Sequence, residues 1–128
     1  PHIWNVSVAA CKGDRVAVLG SAVLARSRRY DALLADAGAT VVPTDDLQEQ
    51  VSALIEAAKQ HGGRRASDRG AFATLLDTVR SRGAQSVILG CTELPLLVDG
   101  EVDGLQVVDS SRELARAALR AAGVSIER

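Results

Sequence analysis

The sequence is poor in aromatic residues, with one Trp, one Tyr and one Phe in 128 positions. A platform for single-stranded nucleic acid stacks bases on several rings, so that class of function is not expected. Surplus charge is missing too: 15 Lys and Arg stand against 16 Asp and Glu, a formal charge of -1. A broad phosphate-tracking footprint needs a basic excess, so nucleic acid is not an expected partner. No apolar run approaches the ~18 residues of a membrane span, and the first residues do not read as a secretory leader. Membrane is therefore not an expected partner either.

Cysteine is scarce. Cys11 and Cys91 are the two in the sequence. Two cysteines do not make a stapled scaffold, and reduced thiols in a cytoplasm are expected. His2 and His61 have no partner pattern, and with Cys91 they give no metal-ligand spacing, so no metal is expected. Neither a Walker motif nor GxGxxG occurs. Met is absent and Pro1 stands first, so a processed or excised segment is expected.

What is present is small aliphatic sequence, dominated by Ala, Val and Leu, which suits close packing of helices on a sheet. Residues 1–128 fit one domain by size. Segment 3–12 reads as a helix with Ile3, Val6 and Ala10 on one face and Gly13 as its stop. Arg15–Gly20 is a short continuous apolar run, the mark of a strand buried on both faces. Ser27–Ala37 reads as a helix with Tyr30, Leu33, Leu34 and Ala37 on one side, stopped by Gly38. Thr40–Val42 reads as a strand halted by Pro43. Asp45 and Gln48 have capping-box spacing before a helix through Val51, Leu54, Ile55 and Ala58. His61–Arg69 reads as an exposed, mobile loop, and Gly70–Arg82 as a helix showing Phe72, Leu75, Leu76 and Val79.

Ser86–Gly90 is the third strand, and Leu94–Leu97 can form one helical turn. Asp99-Gly100 and Asp103-Gly104 are turn signals. Leu105–Val108 is a shorter fourth strand. Ser110 and Glu113 again have capping-box spacing, ahead of a helix to Ala122 with Leu114, Ala118 and Leu119 facing inward. Helix, glycine, polar residue and β-run recur at Gly13, Gly38 and Gly83. Strands alternating with helices predict an α/β domain with right-handed crossovers and a parallel sheet. The expected strand order is 2-1-3-4, with the two longest apolar runs, 15–20 and 86–90, in the centre.

That order predicts where a ligand lies. In open α/β sheets it sits beyond the carboxyl ends of the strands where the order reverses. The loops there are Gly20-Ser21-Ala22 and Gly90-Cys91-Thr92. Cys91 is either a small buried hydrophobe or a reacting thiol. Beside a helix N-terminus its pKa is expected to be lowered, and the same amides would hold a carboxylate. Thr92 adds a hydroxyl, and Glu93 can orient the thiol, take its proton or cap the backbone. Ser21 is either an N-cap or an anion ligand. Arg26, Arg28 and Arg29 form either a solvated face or a source of one cation, Arg26, for a substrate carboxylate. Cys11 reads as core, and Asp109 as structural.

Gly90-Cys91-Thr92-Glu93-Leu94-Pro95-Leu96-Leu97 resembles the second cysteine motif of the aspartate/glutamate racemase superfamily, in its aspartate racemase branch. Val16–Ser21 through Ser27 and Tyr30 resembles the opening of that family's second domain. Gly38–Pro43 resembles its next strand, and Val107–Arg112 its return segment. The spacing from Val51 to Cys91 fits as well. The resemblance implies one half of a pseudo-symmetric fold and a cofactor-independent isomerase, in which two cysteines exchange protons across a substrate α-carbon. It makes Cys91 one acid/base and Glu93 its support, with Gly20, Ser21, Arg26 and Thr92 contacting an amino-acid or other small carboxylate substrate.

Ser21 stands where many members have Thr, and Arg26 where aspartate racemases tend to have Lys. Leu24 departs from a frequent hydroxyl residue. The family's first cysteine belongs to an N-terminal domain with a Cys-Asn-Thr-like motif that these 128 residues lack. A second thiol would come from that half or from a homodimer. The alternatives are a dicarboxylate-binding or interaction domain without catalysis, or a decarboxylase or isomerase of the same superfamily.

Overall fold

The computed structural model describes residues 2–98 and 102–123. Four strands, β1 (Arg15–Leu19), β2 (Thr40–Val41), β3 (Ser86–Leu89) and β4 (Gln106–Asp109), form one parallel sheet in the order β2-β1-β3-β4. The expected α/β class, strand order and central pair are all found. In register, Val16, Ala17, Val18 and Leu19 of β1 lie beside Ser86, Val87, Ile88 and Leu89 of β3.

Both apolar runs are continuous because each face of the sheet is covered. Ala17, Leu19, Val87 and Leu89 join a core with α4 (Gln48–His61) and α5 (Ala66–Ser81). Val16, Ile88 and Val108 point the other way, toward Tyr30 and Leu34 of α3 (Arg29–Asp36) and Trp4 and Val8 of α1 (Ile3–Ala10). The alternation has period two, as strand geometry requires. On this side α6 (Ser110–Ala121) packs against α1. Its Ala118 and Leu119, expected to face inward, are exposed, Leu119 by 44%.

Several local expectations are corrected by tertiary contacts. The helix expected over Ser27–Ala37 is two helices, α2 (Ala22–Ser27) and α3, broken where Arg28 adopts φ 55°. A left-handed arginine is strained by about 1 kcal/mol or more. Arg28 is held there between Asp31 at 3.3 Å and Asp45 at 3.2 Å. The Asp45–Gln48 capping box does not form. Asp45 lies in a 3₁₀ turn (Asp45–Leu47), while Gln48 Nε2 donates to the Gly20 carbonyl at 2.9 Å. The Ser110–Glu113 box does not form either. Asp109 caps α6 by accepting from Ser111 N at 3.1 Å, and the Ser110 hydroxyl donates to the Leu89 carbonyl at 2.9 Å.

The loop expected over His61–Arg69 shrinks to residues 62–65. The helix α4 continues through His61, and α5 begins at Ala66. Asp68 is buried in the first turn of α5, 3.4 Å from the Arg65 guanidinium. Gly38 and Gly83 follow helix ends with φ 81° and 98°, as expected of C′ glycines. Gly13 does not act in that way: α1 ends at Ala10, Cys11 is extended, and Gly13 turns the chain into β1. The Asp103-Gly104 turn forms, with Gly104 at φ 72°. The turn expected at Asp99-Gly100 lies outside the described residues.

Phe72 is fully buried at the centre of the larger core. Phe72→Ala is expected to cost about 3–5 kcal/mol. Urea unfolding measures that loss as a lowered midpoint.

Candidate functional site

The site begins with the carboxyl ends of β1 and β3. The chain leaves β1 at Gly20 and β3 at Gly90, and Gly90 N–H donates to the Leu19 carbonyl at 2.8 Å. A Cβ on Gly20 would stand 3.7 Å from the Gly90 carbonyl. The two loops at the reversal of strand order are therefore neighbours, as the topology predicts. Leu24, half-buried on the first turn of α2, lays its side chain over both exits. A Cβ on Gly20 would stand 2.7 Å from Leu24 Cδ2, and one on Gly90 would meet the same methyl. A side chain at either position would have to displace the Leu24 methyl.

Beyond Gly90 the sequence Cys91-Thr92-Glu93 forms a bend, and Leu94–Leu97 makes one 3₁₀ turn with Pro95 in its first positions. Proline suits that place because its missing N–H would have no partner there. Leu94 and Leu97 are buried and anchor the turn in the core. Cys91 is half-buried, and its sulfur accepts the Leu94 N–H at 3.4 Å. The Thr92 hydroxyl donates to Glu93 Oε2 at 2.8 Å. Thiol, hydroxyl and carboxylate thus share one bend.

Burial pushes the Cys91 thiol above its ordinary pKa. The Leu94 and Glu93 amides pull it back, and the Glu93 and Asp109 carboxylates raise it further. This corrects the expectation of a lowered value. The Leu94–Leu97 segment is a single four-residue turn rather than a full helix, so few aligned amides face the sulfur. Desolvation and two carboxylates outweigh two amides.

Ser21 is the N-cap of α2, and its hydroxyl oxygen accepts the Leu24 N–H at 3.2 Å. Gly20 is buried, and its carbonyl is taken by Gln48. Arg26 lies on the last turn of α2. The other two arginines of that cluster are engaged: Arg28 by Asp31 and Asp45, and Arg29 by Trp4, whose ring centroid lies 4.7 Å from its guanidinium carbon. A cleft of about 260 Å³, lined by Val18, Gly20, Leu24, Tyr30 and Thr44 among others, opens beside β1 and β2 rather than over Cys91.

Cys11 lies at the other end of the sheet. The adjoining Lys12 amide reaches the starts of β3 and β4, donating to Gln106 Oε1 at 2.6 Å and lying 3.2 Å from Ser86 Oγ. Among the described residues no group of three or more His, Cys, Asp and Glu could hold a metal ion. No helix there is long and apolar enough to cross a membrane.

Gln48, Asp109 and Ser110 shape this site without having been singled out for it. Each acts on a strand end or on the thiol beside it. Local spacing suggested helix caps, and that signal did not point to these partners.

The family model for Asp/Glu/hydantoin racemases matches residues 5–118. The chain belongs to that family. Three similar proteins place this racemase-family chain among others of its kind. An uncharacterized protein in the pnlA 3′ region of Pectobacterium carotovorum subsp. carotovorum is 33% identical over 105 residues, which cover 80% of this chain and 69% of that one. An aspartate racemase homologue from Pyrococcus horikoshii OT3 superposes with a TM-score of 0.83 at 26% identity, covering 96% of this chain and 56% of that structure. A putative Asp/Glu racemase from Yersinia pestis gives 0.80 at 27% identity, covering 94% and 55%. The chain therefore spans about half the length of these solved racemase-type structures.

Burial also pushes the Cys11 thiol from 9.0 to about 11, with the Glu113 carboxylate adding to it. A raised thiol pKa supports folding below the unfolded value, and that support is lost as pH rises through the folded one. Stability is thus expected to fall between pH 9 and 11, and less steeply in Cys11→Ala. Urea midpoints across that range, parent against variant, check the difference.

Proposed function

We propose that this chain performs cofactor-independent proton transfer at the α-carbon of a small carboxylate, as the Cys91-bearing half of an aspartate/glutamate-type racemase. The observation that carries this reading is the place of Cys91. It is a half-buried thiol at the switch point, with its sulfur on the Leu94 amide, in a chain matched by the racemase family over residues 5–118.

In this reading Cys91 rests as the protonated thiol, since its pKa is raised. It delivers that proton to the substrate carbanion, and the resulting thiolate faces the Leu94 and Glu93 amides. In the reverse direction the thiolate takes the α-proton, and the C–H electron pair stays on carbon, delocalised into the carboxylate. Glu93 holds Thr92 in place, and its charge adds to the burial that keeps the thiol protonated. Ser21 supplies a hydroxyl for the substrate carboxylate, Thr92 would turn its own from Glu93 to it, Gly20 lets it approach the strand end, and Arg26 offers the cation.

Racemisation needs a second acid/base on the opposite face of the carbon. Cys11 cannot serve, because it lies beyond the other end of β3. The second thiol comes from an amino-terminal racemase half or from a second copy across a two-fold axis. The reaction is one for a reducing cytoplasm, where both thiols stay free.

One observation favours a second reading. Leu24 covers Gly20 and Gly90, which narrows the strand-end cleft and suits a domain that binds a small carboxylate without turning it over. A decarboxylase or isomerase of the same superfamily would use Cys91 in the same position.

Proton NMR in deuterated water, with aspartate or glutamate as substrate, separates these readings. Loss of the α-proton signal is expected, and Cys91→Ser is expected to slow it by about 10²- to 10⁴-fold. Binding without exchange would favour the binding domain. Exchange that survives Cys91→Ser would remove Cys91 from the mechanism.

A further inference from the structure

The 3₁₀ turn after Cys91 has an amide end and a carbonyl end. At the amide end, Leu94 N–H points at the Cys91 sulfur. At the carbonyl end, Leu96 faces the junction of α4 and α5. There Arg69 Nη1 donates to the Leu96 carbonyl at 3.2 Å and to the Gly63 carbonyl at 3.0 Å. A single guanidinium nitrogen thus ties the turn to the chain segment between the two helices. Gly63 completes the latch, since a Cβ there would run into the Leu96 carbonyl oxygen and carbon. Half-buried and far from Cys91 in sequence, Arg69 lies in the stretch whose spacing suggested a mobile loop.

We propose that Arg69 is a positioning residue for Cys91: it holds the Leu94–Leu97 turn so that the Leu94 amide stays on the sulfur. The turn is only four residues long. So short a turn has no second backbone ladder to resist rotation, and its orientation depends on what grips its ends. Leu94 and Leu97 grip it by burial. Arg69 grips it by a charged hydrogen bond, which is directional and stronger than a neutral one.

The charged groups bearing on the thiol itself are Glu93 of the same bend and Asp109 at the end of β4, both acidic. Against them the Leu94 amide is one of two groups that favour the thiolate, the other being the Glu93 amide. Loosening the turn removes a favourable partner and leaves both carboxylates in place.

The test is the pH profile of Cys91 alkylation by iodoacetamide in the full chain, read by mass spectrometry with Cys11 replaced by alanine. Arg69→Ala is expected to move the midpoint upward by about half a pH unit or more, because a hydrogen bond to the charged form is weakened. Arg69→Lys, whose ammonium can donate to both carbonyls, is expected to restore the parent midpoint. Gly63→Ala, which displaces the Leu96 carbonyl from the other side, is expected to move it upward as well. Should Arg69→Ala fail to fold, Arg69→Gln against Arg69→Lys makes the same comparison. A lowered thermal midpoint with an unchanged alkylation profile would overturn the proposal, since Arg69 would then support only the fold. The inference rests on Cys91 being the reacting thiol, but alkylation requires no turnover, so its outcome is separate from the deuterium-exchange result.

Discussion

The pairing of β1 with β3 is the constraint on which the rest depends. Residues 16–19 and 86–89 run side by side in parallel, so their carboxyl ends finish together, and two loops far apart in sequence leave from adjacent points. Both exits are glycines, and the Leu24 side chain lies across them. A slip of one residue in this register would turn Val87 and Leu89 out of one core and into the other. Cys91 owes its place to that register.

Around this pairing, polar side chains hold the strand ends. Gln48 takes the Gly20 carbonyl, Ser110 takes the Leu89 carbonyl, and Ser86 with Gln106 secures the opposite end against Lys12. Each is a side chain meeting a backbone group that would otherwise be left unpaired near the core. The result is a hydrogen-bonded frame around a bend that carries thiol, hydroxyl and carboxylate. The proposed proton transfer at carbon depends on geometry held before the reaction begins. The electrostatics fit a thiol acting first as an acid, since burial and two carboxylates oppose its ionisation.

Much of this was legible in the chain. Continuous apolar runs at 15–20 and 86–90 marked buried parallel strands, and their alternation with amphipathic helices led to the strand order that was found. The order alone brought Gly20-Ser21 to Gly90-Cys91, and the Gly-Cys-Thr-Glu motif pointed to the racemase family that the chain belongs to. The errors share one cause. Asp45 with Gln48 and Ser110 with Glu113 had capping-box spacing, yet each found a better partner elsewhere in the fold. Residues 61–69 were rich in glycine and charge, yet 66–69 form the start of α5, where Arg69 meets the Leu94–Leu97 turn.

Apolar periodicity and the glycine stops determined the element types and their order, because burying one face of each element is a requirement each segment meets by its own pattern. The topology came from chirality and from run length. What tertiary structure decided was the state of the groups at the site. The acidity of Cys91 and the grip on the turn behind it depend on burial and on partners distant in sequence, Asp109 and Arg69 among them. No local pattern encodes those contacts, since they arise when separate segments pack together.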